Sequence, residues 1–424
     1  MMSEADQIAA VVHQQFGQLP AKRKPPVRDN GIHEWVPLSG IVAKGPNGLK
    51  CLSLATGMKC LPASKLSESN GVAIHDWHAE VLALRSFNHF LLQECQRLAT
   101  DENASSEFLR RRTPEEFSPL STNGDATPWQ GQPFAWQPDL TLHMYCSEAP
   151  CGDASMELTM ATQDDASPWT IPPSTLSPGD SATDTPTLPG RGYFSQLGIV
   201  RRKPARGDAP PSLSKSCSDK IALKQCTSLL SSLASLLVHP DGVYLSTLIL
   251  PEAQFSATAC ERCFSPEGRM RSVAGRKWTE AGYEFVPFQV KVTAEEFEFS
   301  KRAIAARAEK SSASNLAVAW TAAGLEEGLV GGILQGRKQF VLNGASAVSR
   351  KGMWKLVGEV AQVLEEGNGE VIRQALGART YDETKGGEPL DGRRGVKEEV
   401  RREALGGWVQ NTGGGGFTME QRKR

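Results

Sequence analysis

Three observations along this chain predict an α/β layer fold. Residues 140–146 and 242–250 carry the short apolar runs of strands, whereas 151–161 and 218–237 carry apolar residues at helical spacing. Strand and helix therefore alternate, the pattern of a sheet with helices laid against it. Between 78 and 92, Val81, Leu84, Phe87 and Leu91 recur every three or four residues, which marks an amphipathic helix buried along one face. With 39% hydrophobic residues in 424, one large domain can bury a sizeable core.

The elements follow in order. A helix over 5–16 places Ile8, Val11, Val12 and Phe16 on one face, and Gly17 with Pro20 stops it. Stretches 35–42 and 50–55 read as paired strands around Gly45-Pro46-Asn47-Gly48. The helix at 78–92 begins at His78. Two stretches, 100–138 and 162–190, are rich in Ser, Thr, Pro, Asp and Gly without periodicity and predict flexible surface insertions. After Leu376 the composition shifts to Gly and charged residues, ending in Gln421-Arg422-Lys423-Arg424. The expected organisation is a single domain over 1–375 and a disordered tail over 376–424.

Composition excludes several classes. Lys plus Arg (47) nearly balance Asp plus Glu (48), so neither a wholly basic nucleic-acid coat protein nor an acidic tail protein fits. The apolar stretches fall short of the roughly 18 continuous positions of a membrane span. The N-terminus has no basic start followed by an apolar run, and the expectation is an intracellular protein of the nucleus, the cytoplasm or both. Nine scattered cysteines fit reduced thiols or metal ligands better than a disulfide framework.

Chemistry concentrates in three segments: His75-Asp76-Trp77-His78-Ala79-Glu80, Ala149-Pro150-Cys151-Gly152-Asp153-Ala154, and Lys215-Ser216-Cys217-Ser218-Asp219-Lys220. A catalytic zinc takes three N or S ligands and keeps one position open for water, which His78, Cys151 and Cys217 would supply. Glu80, two residues past His78, would stay unligated and act as proton carrier. Both cysteines stand just ahead of predicted helices, where the dipole favours a thiolate. Singly, a His-x-Glu or a buried cysteine proves little; the three segments together carry the reading. Cys260-Glu261-Arg262-Cys263 lacks partner cysteines nearby and reads as structural.

Zinc nucleobase deaminases carry H-x-E followed by P-C-x-x-C. Here Cys151 has no second cysteine at that spacing, and Cys217 lies 66 positions later. His-Ala-Glu, Pro-Cys-Gly-Asp-Ala and Ser-Cys-Ser-Asp-Lys in this order resemble the adenosine deaminases that act on RNA. The stretch Arg201 to Asp208, the segment Ala55-Thr56-Gly57-Met58-Lys59-Cys60, and the lack of room for a double-stranded-RNA module before Trp35 resemble the branch that acts on tRNA.

The resemblance implies a cytidine-deaminase-like mixed sheet with helices on both faces. It implies zinc on His78, Cys151 and Cys217, with Glu80 as proton shuttle, turning adenosine to inosine beside the anticodon of alanine tRNA (tRNA position 37). It also implies a buried inositol hexakisphosphate, with Asp76, Arg85, Lys220, Lys351 and Lys355 as candidate contacts. The departures from the pattern are Leu223-Lys224 and His75. For RNA, residues 191–224 hold eight Lys or Arg against two Asp, and Arg201, Arg202, Lys203 and Arg206 are the expected phosphate contacts, with Lys59 as a further candidate. No obligatory protein partner is expected. The alternatives are a deaminase of duplex or messenger RNA, and an inactive deaminase-like RNA-binding scaffold.

Overall fold

The predicted hairpin forms: β1 (Leu38–Gly45) and β2 (Gly48–Thr56) pair antiparallel, closed at Gly48 with φ +94°. Around it lie β3 (Thr141–Cys146), β4 (Leu245–Pro251), β5 (Gln289–Thr293), β6 (Ala317–Thr321), β7 (Glu326–Val330) and β8 (Ile333–Leu334). Together they make one eight-stranded mixed sheet in the order β5-β4-β3-β1-β2-β6-β7-β8. The β3–β4 and β4–β5 pairs are parallel, the others antiparallel. The computed structural model describes residues 2–117, 128–162, 188–190, 192–203 and 209–419.

Helices cover both faces, because neighbouring strand residues point to opposite sides. On one face α1 (Glu4–Gly17) buries Ile8, Val12 and Phe16 against Leu38, Val42 and Leu54. It crosses the sheet at Gly40, where a Cβ would lie 2.7 Å from the Val12 methyls. On the other face α2 (Ala79–Thr100) buries Leu84, Phe87 and Leu91 against Ile41, Leu52 and Met144. Each such side chain contributes about 1.5–3 kcal/mol on burial. A bulge helps this packing: Ile41 pairs Ser53 and Val42 pairs Cys51, skipping Leu52. Leu52 therefore enters the α2 core beside Ser53, whose Oγ donates to the Ala83 carbonyl at 3.0 Å.

Several expectations are corrected. The helix expected over 218–237 is α3 (Cys217–Thr227), ended by Ser228 at φ +52° and followed only by a short turn at Ala234–Leu236. Within the first expected insertion, Leu109–Arg111 and Phe134–Trp136 pair antiparallel, and Phe134 and Trp136 are core residues, because the segment returns to the sheet. Residues 118–127 and 163–187 lie outside the described residues. The tail is not a disordered segment over its described length: after α4 (Arg350–Val363) come Tyr381–Gly386 and α5 (Asp391–Glu403), which buries Val396 and Val400 in the main core. Among the described residues no helix is long and apolar enough to cross a membrane.

Candidate active site

His78 is the N-cap of α2, Cys217 opens α3, and Cys151 lies in the loop after β3, so two helix starts and a strand end converge. One ligand atom from each lies within 4.8 Å of the others. The cysteine loops are fastened together by Ser218. Its Oγ donates toward the carbonyls of Pro150 (2.9 Å) and Cys151 (3.0 Å) and accepts from the Ala154 N–H (3.2 Å). The Cys217 N–H points at Cys151 Sγ (3.3 Å). Gly152 is needed here: its φ is +107°, and a Cβ would fall 2.2 Å from Ser216 Oγ. Asp153 and Asp219 of the two motifs are ion-paired with Arg262 (3.0 Å) and Arg269 (2.6 Å), fixing both loops to the scaffold.

Behind the ligands, Asp76 and Lys203 are buried together, with Lys203 Nζ 2.8 and 3.0 Å from the carboxylate and 3.2 Å from Cys217 Sγ. Asp76 also accepts from the His78 N–H (3.1 Å), Ser214 Oγ (2.9 Å) and Lys220 Nζ. Burial opposes its ionisation, but Lys203 and Lys220 outweigh that and hold it well below the usual carboxylate range. Burial likewise opposes the charge on Lys203, yet Asp76 and the two thiols push its pKa up. A hydrogen bond from the Cys217 thiol, helped against burial by Lys203 and His78, holds Cys151 well below the usual thiol range. Burial and that same partner push Cys217 up. Burial, then the Cys151 charge, pushes Glu80 up. One nitrogen and two sulfurs with a fourth position left free are the donor set of a catalytic zinc, so the residues fit that metal.

On the far side of Asp76 opens a cavity of about 470 Å³ lined by nine Lys or Arg against three carboxylates. The cations are Arg85, Lys215, Lys220, Arg350, Lys385, Arg393, Arg394, Lys397 and Arg401. Burial and the crowding of Lys220, Arg401 and Arg202 bring Lys215 down to about 7. Burial and Arg393 similarly lower Lys397. His75 Nδ1, Arg85 Nε, Arg393 Nε, Arg401 Nε and Asn411 Oδ1 are buried without a hydrogen-bond partner among the described residues. A cavity this cationic with orphaned polar atoms fits a polyanion such as inositol hexakisphosphate.

The family itself is settled by comparison with known proteins. The adenosine-deaminase (editase) domain family matches residues 53–412, most of the chain. The chain belongs to this family. Editase relatives include the tRNA-specific adenosine deaminase 1 of Schizosaccharomyces pombe, 34% identical over 96% of this chain and 95% of the relative. That of Saccharomyces cerevisiae is 34% identical over 59% of each, and that of Homo sapiens 24% identical over 97% of this chain and 98% of the relative. The editase domain is that of a deaminase enzyme, which accounts for the motif order and the gathering of His78, Cys151 and Cys217.

Against that editase fold the predicted contacts divide. His78, Cys151 and Cys217 come together with Glu80 beside them, and Asp76, Arg85 and Lys220 line the cavity. Lys351 is buried but does not line the cavity, and Lys355 is 72% exposed beside Glu359, because the helix turns Arg350 inward instead. Arg201 is no surface cation: its buried guanidinium donates to the carbonyls of Gly190 and Tyr193. Lys203 is likewise inside, on Asp76; Arg202 is half-buried, Arg206 lies outside the described residues, and Lys59 is exposed. The basic stretch thus faces largely inward, since Lys215 and Lys220 line the cavity and Lys224 donates to the Leu229 and Leu230 carbonyls. Cys260 and Cys263 are buried in the helix Ala257–Phe264 as free thiols. Reasoning from sequence missed Arg350 and the α5 cations, although Arg393, Lys397 and Arg401 recur at helical spacing.

Proposed function

We propose that this protein is a zinc-dependent tRNA adenosine deaminase that converts adenosine to inosine beside the anticodon of alanine tRNA. The observation that carries it is the His78–Cys151–Cys217 cluster with unligated Glu80 at its side, in a chain whose full-length relatives are named for tRNA. Zinc, when held by these three residues, lowers the pKa of a water to about 7 and so supplies a nucleophile at neutral pH. The chain does the rest. Glu80 accepts a proton from the attacking water and delivers it to N1 of the purine as oxygen adds to C6; it then takes the second proton from the new C6 hydroxyl and gives it to the amino group, so that the C6–N bond breaks and ammonia leaves. Adenosine and water thus give inosine and ammonia. Burial, then the Cys151 charge, raises the pKa of Glu80 above the usual carboxylate range, a direction that suits a group that must both take and give a proton. Lys203 neutralises Asp76 and faces Cys217 Sγ, so the sulfur keeps a fixed orientation and a balanced charge. An anticodon loop presents its bases without the cost of opening a duplex.

The cationic cavity would hold inositol hexakisphosphate, placed against Lys220 and so one residue from Asp76. Mass spectrometry of acid-denatured protein should release it. The protein is taken to work inside the cell, where tRNA is found. Purified protein incubated with unmodified alanine tRNA and with a perfect RNA duplex, both then sequenced for adenosine-to-guanosine reads, tests the substrate. Conversion confined to the base 3′ of the anticodon is expected; conversion of the duplex, or of neither RNA by zinc-loaded protein, overturns it.

A further inference from the structure

We infer that the loop after β8, residues 335–343, grips the phosphate backbone of the RNA substrate beside the reacting nucleotide; this rests on the RNA-deaminase reading above. Residues 335–339 are exposed, and Arg337 and Lys338 have no ion-pair partner among the described residues. Their nearest acidic neighbours along the hairpin are already engaged: Glu326 pairs with Arg23 at 3.2 Å, and Glu327 accepts from Ser346 Oγ and the Ala347 N–H. Two positive charges are therefore left to the solvent side, and next to them Val341 and Leu342 are 41% and 45% exposed. The sequence gives no reason for this cluster within the fold.

The loop is also held rigidly, and next to the site. Phe340 adopts φ +64°, a left-handed conformation that costs a bulky residue about 1–2 kcal/mol. Its side chain packs against the apolar cluster that contains Ile74, Trp77 and Leu82, and Gly332, at the base of the same loop, lies against the Trp77 ring and the Ile74 backbone. Gln339 Nε2 donates to the Gly331 carbonyl at 3.1 Å, and the Gly332 carbonyl accepts from the Ile74 N–H at 2.7 Å. On the other side of the same segment the Lys59 carbonyl accepts from the Trp77 N–H at 3.0 Å. The chain that enters His78 thus runs between exposed Lys59 and the Arg337–Lys338 loop. A nucleotide extruded into the site must leave its flanking phosphates outside it, and cations on either side of this segment, Arg337 and Lys338 on one and Lys59, hydrogen-bonded to Asn315 Oδ1, on the other, match that demand. The described cations of the stretch 191–224 face largely inward and leave this role open.

The test compares tRNA binding by the unaltered chain, Arg337→Gln/Lys338→Gln, and the control Lys44→Gln/Lys277→Gln, which removes the same charge from exposed positions elsewhere. Dissociation constants are measured between low and physiological salt, with thermal midpoints to verify folding. The loop variant should bind about tenfold more weakly, with the slope of log affinity against log salt reduced by about 1.4, near 0.7 per lost single-strand phosphate contact. The control should keep the slope of the unaltered protein. An unchanged slope in the loop variant, or an equal loss in the control, overturns the inference. If the unaltered protein binds no RNA at all, the deaminase reading fails instead, and the two failures are distinguishable.

Discussion

Glu80 and Lys203 bring opposite charges into one buried pocket, and their surroundings give each a different test. Glu80→Gln keeps the shape of the side chain and removes the proton carrier. The protein should fold and retain its metal while the turnover rate falls by at least about 10²–10⁴-fold, read from inosine formation and metal content on one preparation. A normal rate would remove Glu80 from the chemistry. Lys203→Met takes away the cation that faces both Asp76 and Cys217. Breaking one partner of a buried pair costs about 3–5 kcal/mol, so the urea midpoint should drop sharply, and an unchanged midpoint would show the pair to be dispensable. Glu80 was legible because its neighbours in sequence are its neighbours in space. Lys203 was read as an RNA contact because a run of Arg201-Arg202-Lys203 looks like a solvated loop. Only the chain's return past Asp76 turns that lysine inward, and no local signal records it.

The elements show the same division between what is local and what is not. Ser218 joins the loop of Cys151 to the start of α3, and its position in the third motif is its only sequence clue. Ser218→Ala should cost about 1–3 kcal/mol by leaving these backbone groups without their partner, and should weaken metal retention in a chelator competition. Retention equal to that of the unaltered protein would mean that the ligand loops hold themselves. The apolar spacing of α2 and the Gly-Pro-Asn-Gly turn of β1–β2 were readable because helices and hairpins of this kind declare themselves within a dozen residues. Ser228 could not be read as a helix end, since a left-handed serine is set by Asn88, which donates to the Leu229 carbonyl from α2. The α5 helix was hidden by glycine and charge, yet its cations point at the cavity and its Val396 and Val400 at the core.

At the scale of the whole molecule, burying so much of the chain traps most of its seven histidines in neutral form. Burial lowers His13, His89, His143 and His239 to about 4 each, and His75 to about 2. An unfolded histidine titrates near 6.5. Above that pH neither state takes up a proton, so the stability held by these groups is complete. As pH falls below about 6.5 the unfolded chain binds protons that the folded protein refuses until about 4, and stability is lost across that window. Five such groups set a slope of up to about 7 kcal/mol per pH unit. Glu80 and Glu148, pushed up by burial, work in the other direction but are fewer. Lowering the pH from 7.5 to 5.0 should therefore depress the thermal midpoint well before ordinary carboxylates titrate. His89→Leu, at a buried position of α2, should flatten the dependence by one proton's share. A midpoint that holds or rises between pH 6.5 and 5.0 would mean that these imidazoles take up protons inside the fold, and that the core around them admits charge.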